Sequence, residues 1–352
     1  MLFAILAISV PGLLFGIGER LTTHTMENLA IVTSQETFYR IAEGEPTALL
    51  VTYNDGLPRL EKPPLVSWLN LLAWSDLDPA TAPPQQLVFR TRCVSIAMGV
   101  LMLAAIFLLA RLLGDVRFAA LATLTIASTF YFQRQARTAS YDIHYVAWTT
   151  IAIALGFWAM NPLGVAPSCV RKAIGWGGCA IALCAAAMSK NPLPYVLALP
   201  TMITAIVMLS SRRASDALWL AAAALLSAVP VVAWYWHVFD TYPDLARRAL
   251  GRELMQPRSS YQALWYYLGL FGLVVPWTLW LIGSLIEPFK IAGDAPERRR
   301  RVAMFALLWF ACIFVGMSIP AAKQQRYILG ILPSIALLLS IFMRQHEERA
   351  AR

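Results

Sequence analysis

The chain has 352 residues, of which 59% are hydrophobic and only 14% charged; its net charge is +9 and its mean hydropathy +0.59. Soluble domains carry about a quarter charged residues, so this deficit argues against a soluble globular protein and for a polytopic membrane protein, in which repeated apolar spans dilute the charge. There is no soluble basic domain to carry the positive excess, which argues against nucleic acid as partner and for membrane lipids and phosphate-bearing ligands.

About ten apolar segments can be read in chain order, near residues 2–18, 94–113, 118–132, 143–160, 173–188, 192–209, 217–238, 263–289, 302–319 and 327–343. In lipid each segment must satisfy its own backbone hydrogen bonds, so all are expected to be helices. Pro230, Pro276 and Pro333 are the expected kink points. The first segment starts at Met1 without a basic leader and reads as an uncleaved helix rather than a signal peptide. The expected class is an all-α polytopic membrane protein: one transmembrane domain over 1–343 and a short cytoplasmic tail over 344–352. The loop over 19–93 is the only large element outside the membrane. Two interfacial helices are expected in it, near 27–43 and 64–75, the second with Trp68 and Trp74 among leucines.

The loops alternate between two sets. One set is short and basic, with Arg171-Lys172, Arg212-Arg213 and the run Arg298 to Arg301, which marks it as cytoplasmic. The other set, beginning with 19–93, is therefore expected on the extracytoplasmic face. Five cysteines occur without CxxC spacing and four histidines without an HExxH motif, which argues against a disulfide frame or a zinc site.

Five polar clusters fall on the expected outer face: Glu27 in THTMEN; Glu61 and Lys62 in RLEKPP; Arg134, Arg137 and Asp142 in RQARTASYD; Lys190 in SKNP; and Lys323, Gln324, Gln325, Arg326 and Tyr327 in KQQRY. Each has a plain alternative. Glu27 can be a solvated first-turn acid, Lys62 a snorkelling lysine, Arg137 and Lys190 headgroup anchors, and Asp142 a helix N-cap. Taken together they suggest more, because charges near membrane depth are costly and mark function. Converging bases supply what a lipid-linked phosphate needs, positive charge and donors for a leaving oxygen. A carboxylate beside them can orient or deprotonate an acceptor.

At these residues the chain resembles the bacterial polyprenyl-phosphate-sugar glycosyltransferases of the GT-C architecture, which include lipid A aminoarabinose transferases and protein O-mannosyltransferase-like proteins. The resemblance runs in order from the first helix to about residue 340. Met26-Glu27 stands where the family has an acidic pair, and Gln35-Glu36 stands in its "ARE" helix. Glu61-Lys62-Pro63-Pro64 reproduces E-K-P-P, the most specific piece. The span from Arg137 to Asp142 matches an Arg/Asp loop, Ser189-Lys190-Asn191-Pro192 a T-K-G-P loop, and Lys323 to Tyr327 with Pro333 a late K-x-x-x-Y segment. The family's acidic pair begins with Asp where this chain has Met26, and its T-K-G-P glycine is Asn191 here.

The resemblance implies inverting transfer of a sugar from a polyprenyl-phosphate donor to a lipid or protein acceptor, on the outer face of the inner membrane. In that reading Lys62, Arg137, Lys190, Lys323, Arg326 and Tyr327 hold the donor phosphate, and Glu27 activates the acceptor. Asp142 assists or positions an arginine. The resemblance also suggests a divalent metal ion at Glu61, although no histidine lies beside it in sequence. Two other readings stay open, a catalytically inactive lipid-binding homologue and a lipid or solute transporter. The transporter predicts internal repeats and polar broken helices at the bilayer midplane, and no repeat is visible in the sequence.

Overall fold

All ten apolar segments become helical. The computed structural model describes residues 1–19, 22, 25–254, 263–291, 297–320 and 323–351. The chain opens with α1 (Leu2–Leu14) and α2 (Thr25–Ala42), then forms a hairpin of β1 (Thr52–Asn54) and β2 (Leu57–Arg59), then α3 (Leu65–Ala73). The bundle follows: α4 (Pro84–Leu113), α5 (Val116–Ala127), the short α6 (Phe130–Ala136), α7 (Tyr141–Met160), α8 (Cys169–Ser189), α9 (Leu193–Leu209) and α10 (Arg213–Thr241). After α11 (Pro243–Leu254) come α12 (Leu270–Leu273), α13 (Thr278–Lys290), α14 (Glu297–Ser318) and α15 (Leu332–Ala350), the last preceded by a 3₁₀ turn over Gln325–Ile331.

Fewer of these helices are full spans than the apolar segments suggested. Among the described residues six are long and apolar enough to cross a bilayer: α4, α7, α8, α10, α14 and the 3₁₀ turn joined to α15. A seventh arises if the bent pair Trp265–Leu273 and Thr278–Lys290 counts as one span. The helices α1, α5 and α9 have 13, 12 and 17 residues. At 1.5 Å per residue they reach about 18–26 Å, short of a hydrocarbon core of about 30 Å.

Proline acts differently at the three expected kink points. Pro230 sits within a continuous α10, and Pro333 takes a first-turn position in α15, where its missing N–H costs nothing. Pro276 lies in the break between α12 and α13, where the chain bends by 116°. The break docks on the α5–α6 junction: Phe130 N donates to the Val275 carbonyl at 2.9 Å and Trp277 Nε1 to Ser128 Oγ at 2.9 Å.

The centre of the bundle is α7, flanked by α4 and α8. Small residues let α8 approach closely: a Cβ on Gly175 would lie 2.7 Å from Ala159 Cβ on α7. Phe157, Phe305 and Trp309 pack beside this seam with tilted rings. Hydroxyls inside the bundle are satisfied by their own helices, as Thr149 and Thr150 donate to the carbonyls of Tyr145 and Val146. The outward face of α10 exposes Leu218, Leu225 and Trp236, an apolar surface suited to lipid.

Two expectations about the periphery change. Residues 344–350 are no loose tail but the last turns of α15, held by Arg344–Asp115 (3.0 Å) and Arg349–Glu287 (2.6 Å). In α3, Trp74 turns inward and packs with Ile31, Leu87 and Val88, closing the seam between α2, α3 and α4 instead of lying at an interface.

Candidate functional site

The hairpin is built by its turn. Asp55 and Gly56 have φ of +54° and +73°, the two left-handed positions that an Asp-Gly turn supplies between antiparallel strands. Glu36 on α2 accepts hydrogen bonds from both turn amides, Asp55 N at 2.5 Å and Gly56 N at 3.1 Å. Trp68 and Trp234 donate their indole N–H groups to the successive carbonyls of Leu49 and Leu50, each at 2.7 Å. Tyr53 meets Tyr242 hydroxyl to hydroxyl at 3.0 Å; burial and this bond push the Tyr53 phenol up to about 12. The hairpin is thus tied to α2, α3 and the end of α10. The segment after it, Leu60 to Pro64, is set over the ends of α7 and α8.

Three elements converge beneath that segment. Asp142 lies in the first turn of α7, Lys190 caps α8, and Arg326 sits in the 3₁₀ turn before α15. Asp142, 2% exposed, accepts from Lys190 Nζ at 2.5 Å and faces Arg326 Nε at 3.4 Å. Lys190 Nζ lies 4.6 Å from the ring centroids of both Tyr145 and Tyr327, a geometry in which the ring faces attract the cation. The 3₁₀ turn is fixed from outside: Tyr267, Tyr131 and Tyr145 donate their hydroxyls to the carbonyls of Gln324, Gln325 and Tyr327.

These parts enclose a cavity of about 390 Å3. Of the residues expected from sequence, Glu61, Lys62, Asp142, Lys190, Arg326 and Tyr327 line it. Met26 lines it too, at the position where the family resemblance has an acid. Arg59, Asn54, Tyr141 and Gln324 complete much of the wall. Buried Arg59 donates to the Tyr141 hydroxyl and stands 4.9 Å from its ring. Gln324 and Arg326 also border a second cavity of about 220 Å3 that reaches Arg134.

Three expected residues lie elsewhere. Glu27 is 3% exposed and does not border the cavity. Its two oxygens accept from Arg92 at 2.8 and 2.9 Å, and Oε1 also accepts from Ala139 N at 3.1 Å. Arg92 additionally donates to the Ile17 carbonyl. Glu27 is thereby a buried tie between α2, α4 and the start of α7. Arg137 caps α6 and donates to the Phe15 carbonyl, away from the cavity. Lys323 is buried and is not part of the wall.

Arg59 and Asn54 were not anticipated, although N-D-G between V-T-Y and L-P-R is a hairpin signal. Reading 19–93 as helices joined by irregular loop hid it. The Glu27–Arg92 pairing spans 65 positions and has no local signal.

A metal ion at Glu61, as the resemblance suggests, would have one further carboxylate on the same wall, Asp142. Among the described residues no three His, Cys, Asp or Glu side chains gather to hold an ion. The two carboxylates on the wall, Glu61 and Asp142, share it with Arg59, Lys62, Lys190 and Arg326, four cations that can bind an anion.

No protein-family model matches the chain. It is 26% identical over 298 residues, 83% of its length, to an undecaprenyl phosphate-alpha-4-amino-4-deoxy-L-arabinose arabinosyl transferase from Pseudomonas savastanoi pv. phaseolicola. The chain spans about half the length of the curated relatives it matches, 52% in this case. Its fold is similar to that of ArnT from Cupriavidus metallidurans bound to undecaprenyl phosphate, with a TM-score of 0.78 at 19% identity, covering 97% of this chain and 60% of that one. It is also similar to the Archaeoglobus fulgidus oligosaccharyltransferase in complex with Zn and sulfate, with a TM-score of 0.63 at 14% identity, covering 99% and 50%. The chain therefore has a multi-pass helical membrane fold of the GT-C type, as these two structures do, and is similar in sequence to curated arabinosyl transferases of about twice its length.

Proposed function

We propose that this chain binds a polyprenyl-phosphate sugar and transfers the sugar to a lipid or protein acceptor, in the bacterial inner membrane with the hairpin end outside the cytoplasm. One observation carries the reading: Arg59, Lys62, Lys190 and Arg326 face a single cavity, with Asp142 holding two of them in place. Four cations around two carboxylates leave the cavity net positive, as a phosphate monoester or diester requires.

In the reaction, an acceptor oxygen attacks the anomeric carbon from the face opposite the phosphate. The bond between that carbon and the phosphate oxygen breaks, and its electron pair leaves on the phosphate. The cations stabilise this developing charge at fixed positions and with little reorganisation. Asp142 is a positioning residue that keeps Lys190 and Arg326 aimed at the cavity. Glu61, the other carboxylate on the wall, orients the acceptor hydroxyl and takes its proton. No step is routed through a metal.

The test is transfer of radiolabelled sugar from a polyprenyl-phosphate donor in membranes. Lys62→Ala should lower turnover by about 10²–10³-fold, the scale of one lost donor to a developing oxyanion. Unchanged turnover overturns the clamp. Met26 on the cavity wall favours one other reading, an inactive lipid-binding homologue. Saturable donor binding without any transfer, in the parent chain with every acceptor class supplied, identifies that case.

A further inference from the structure

Four arginines gather at the other end of the bundle. There the turn between α4 and α5 faces the start of α14 and the end of α15 across a cavity of about 590 Å3. Arg111, Arg298, Arg299 and Arg344 border it, with two carboxylates on the wall, Asp115 and Glu348, and a third, Glu347, 3.6 Å from Arg344. The carboxylates hold two of the guanidinium groups in place without cancelling the set. Arg299 makes a two-pronged pair with Glu348 at 2.7 and 2.8 Å, and Arg344 meets Asp115 at 3.0 Å. Arg111 is steadied by the Gly114 carbonyl at 3.0 Å. The rest of the wall is apolar, formed by Phe118, Val302 and Ile341.

We propose that this cavity binds an anionic phospholipid. The arginines take the phosphodiester of a lipid whose headgroup carries no compensating positive charge, and an acyl chain lies along Phe118, Val302 and Ile341. The two-part wall selects this occupant: a free phosphate would engage the arginines and leave the apolar side wet, whereas an acylated phosphate covers both. The place fits, because this end carries the short basic loops that face an anionic leaflet. It is also separate from the donor cavity. Arg326 on the donor cavity and Arg344 on this one lie 18 residues apart (344 minus 326) along one span, at least about 27 Å.

The experiment uses the full chain, delipidated in detergent, with retained lipid read by native mass spectrometry and the unfolding midpoint read in parallel. Phosphatidylglycerol is compared with phosphatidylcholine of the same acyl chains and with inorganic phosphate. Phosphatidylglycerol should bind at least about tenfold more tightly than phosphatidylcholine, the scale of one charge-assisted hydrogen bond. Arg298→Ala and Arg111→Ala should each erase that preference, and Lys62→Ala should leave it intact. Arg298 is exposed in the first turn of α14, so its replacement spares the bundle core; if one arginine variant does not fold, the other decides. Equal binding of the two lipids overturns the proposal, as does an undiminished preference in the folded variants. Full stabilisation by inorganic phosphate alone also overturns it. Loss of the preference in Lys62→Ala would instead place the lipid at the donor cavity. None of these readouts measures sugar transfer, so they stand or fall separately from it.

Discussion

Glu27 and Asp142 are both buried acids paired with cations, and their surroundings give them opposite parts. Glu27 spends both oxygens on Arg92 and takes the Ala139 amide as well, so it ties elements together. Asp142 stands on the cavity wall between two cations from other elements, so it aims them. Replacing Glu27 by Gln takes the carboxylate's charge away from the buried, two-pronged pair with Arg92, at a cost of about 3–5 kcal/mol. A fall of that size in unfolding free energy is expected in detergent, with donor affinity unchanged in whatever fraction stays folded. Weakened donor binding at full stability would move Glu27 back into the site. The residue types were legible: the sequence shows an acid after the first helix and a basic Lys-Pro-Pro segment before α3. Their division of labour was not, because it depends on Arg92, 65 positions away.

At the scale of elements, the apolar segments overlap the long helices of the bundle but run α5 into α6 and leave α11 in a loop; the large loop has helices over 25–42 and 65–73, against an expected 27–43 and 64–75. Span length was less legible, since composition marks an apolar stretch but not where its backbone turns away. The α5 cap shows how local chemistry sets such a boundary. Asp115 accepts from Phe118 N at 2.7 Å, and that bond, with Arg344 nearby, holds its carboxyl below the usual carboxylate range. A lowered value means its stabilisation is complete above the ordinary value and fades as pH falls through the folded one. Asp115→Ala should cost about 1 kcal/mol at neutral pH. The gap in unfolding midpoint between variant and parent should narrow as pH falls below the ordinary carboxylate value; a gap constant across pH would assign the cost to packing. The α7–α8 seam is tested by Gly175→Ala. Its added Cβ meets Ala159 Cβ at 2.7 Å and Ala159 Cα at 3.1 Å, so the helices must part, for about 1–3 kcal/mol. An unshifted unfolding midpoint would show that the seam has slack.

The whole molecule separates two chemistries along its long axis. The hairpin end combines cations with tyrosines, tryptophans and a built cavity; the far end combines arginines with short turns. Composition announced the excess of bases, and only the fold sorts them into two groups a helix length apart. Lys190 adds a property that a sugar-transfer assay would never reveal. The residue is 5% exposed and its amine is enclosed by Asp142, Tyr145 and Tyr327, whereas Lys62 is only half-buried on the same wall. An amine-acylating reagent should therefore mark Lys62 well before Lys190, as read by peptide mass mapping, and a bound polyprenyl phosphate should slow the marking of Lys62. The two lysines would then act as a built-in occupancy gauge, usable in membranes before any acceptor is known.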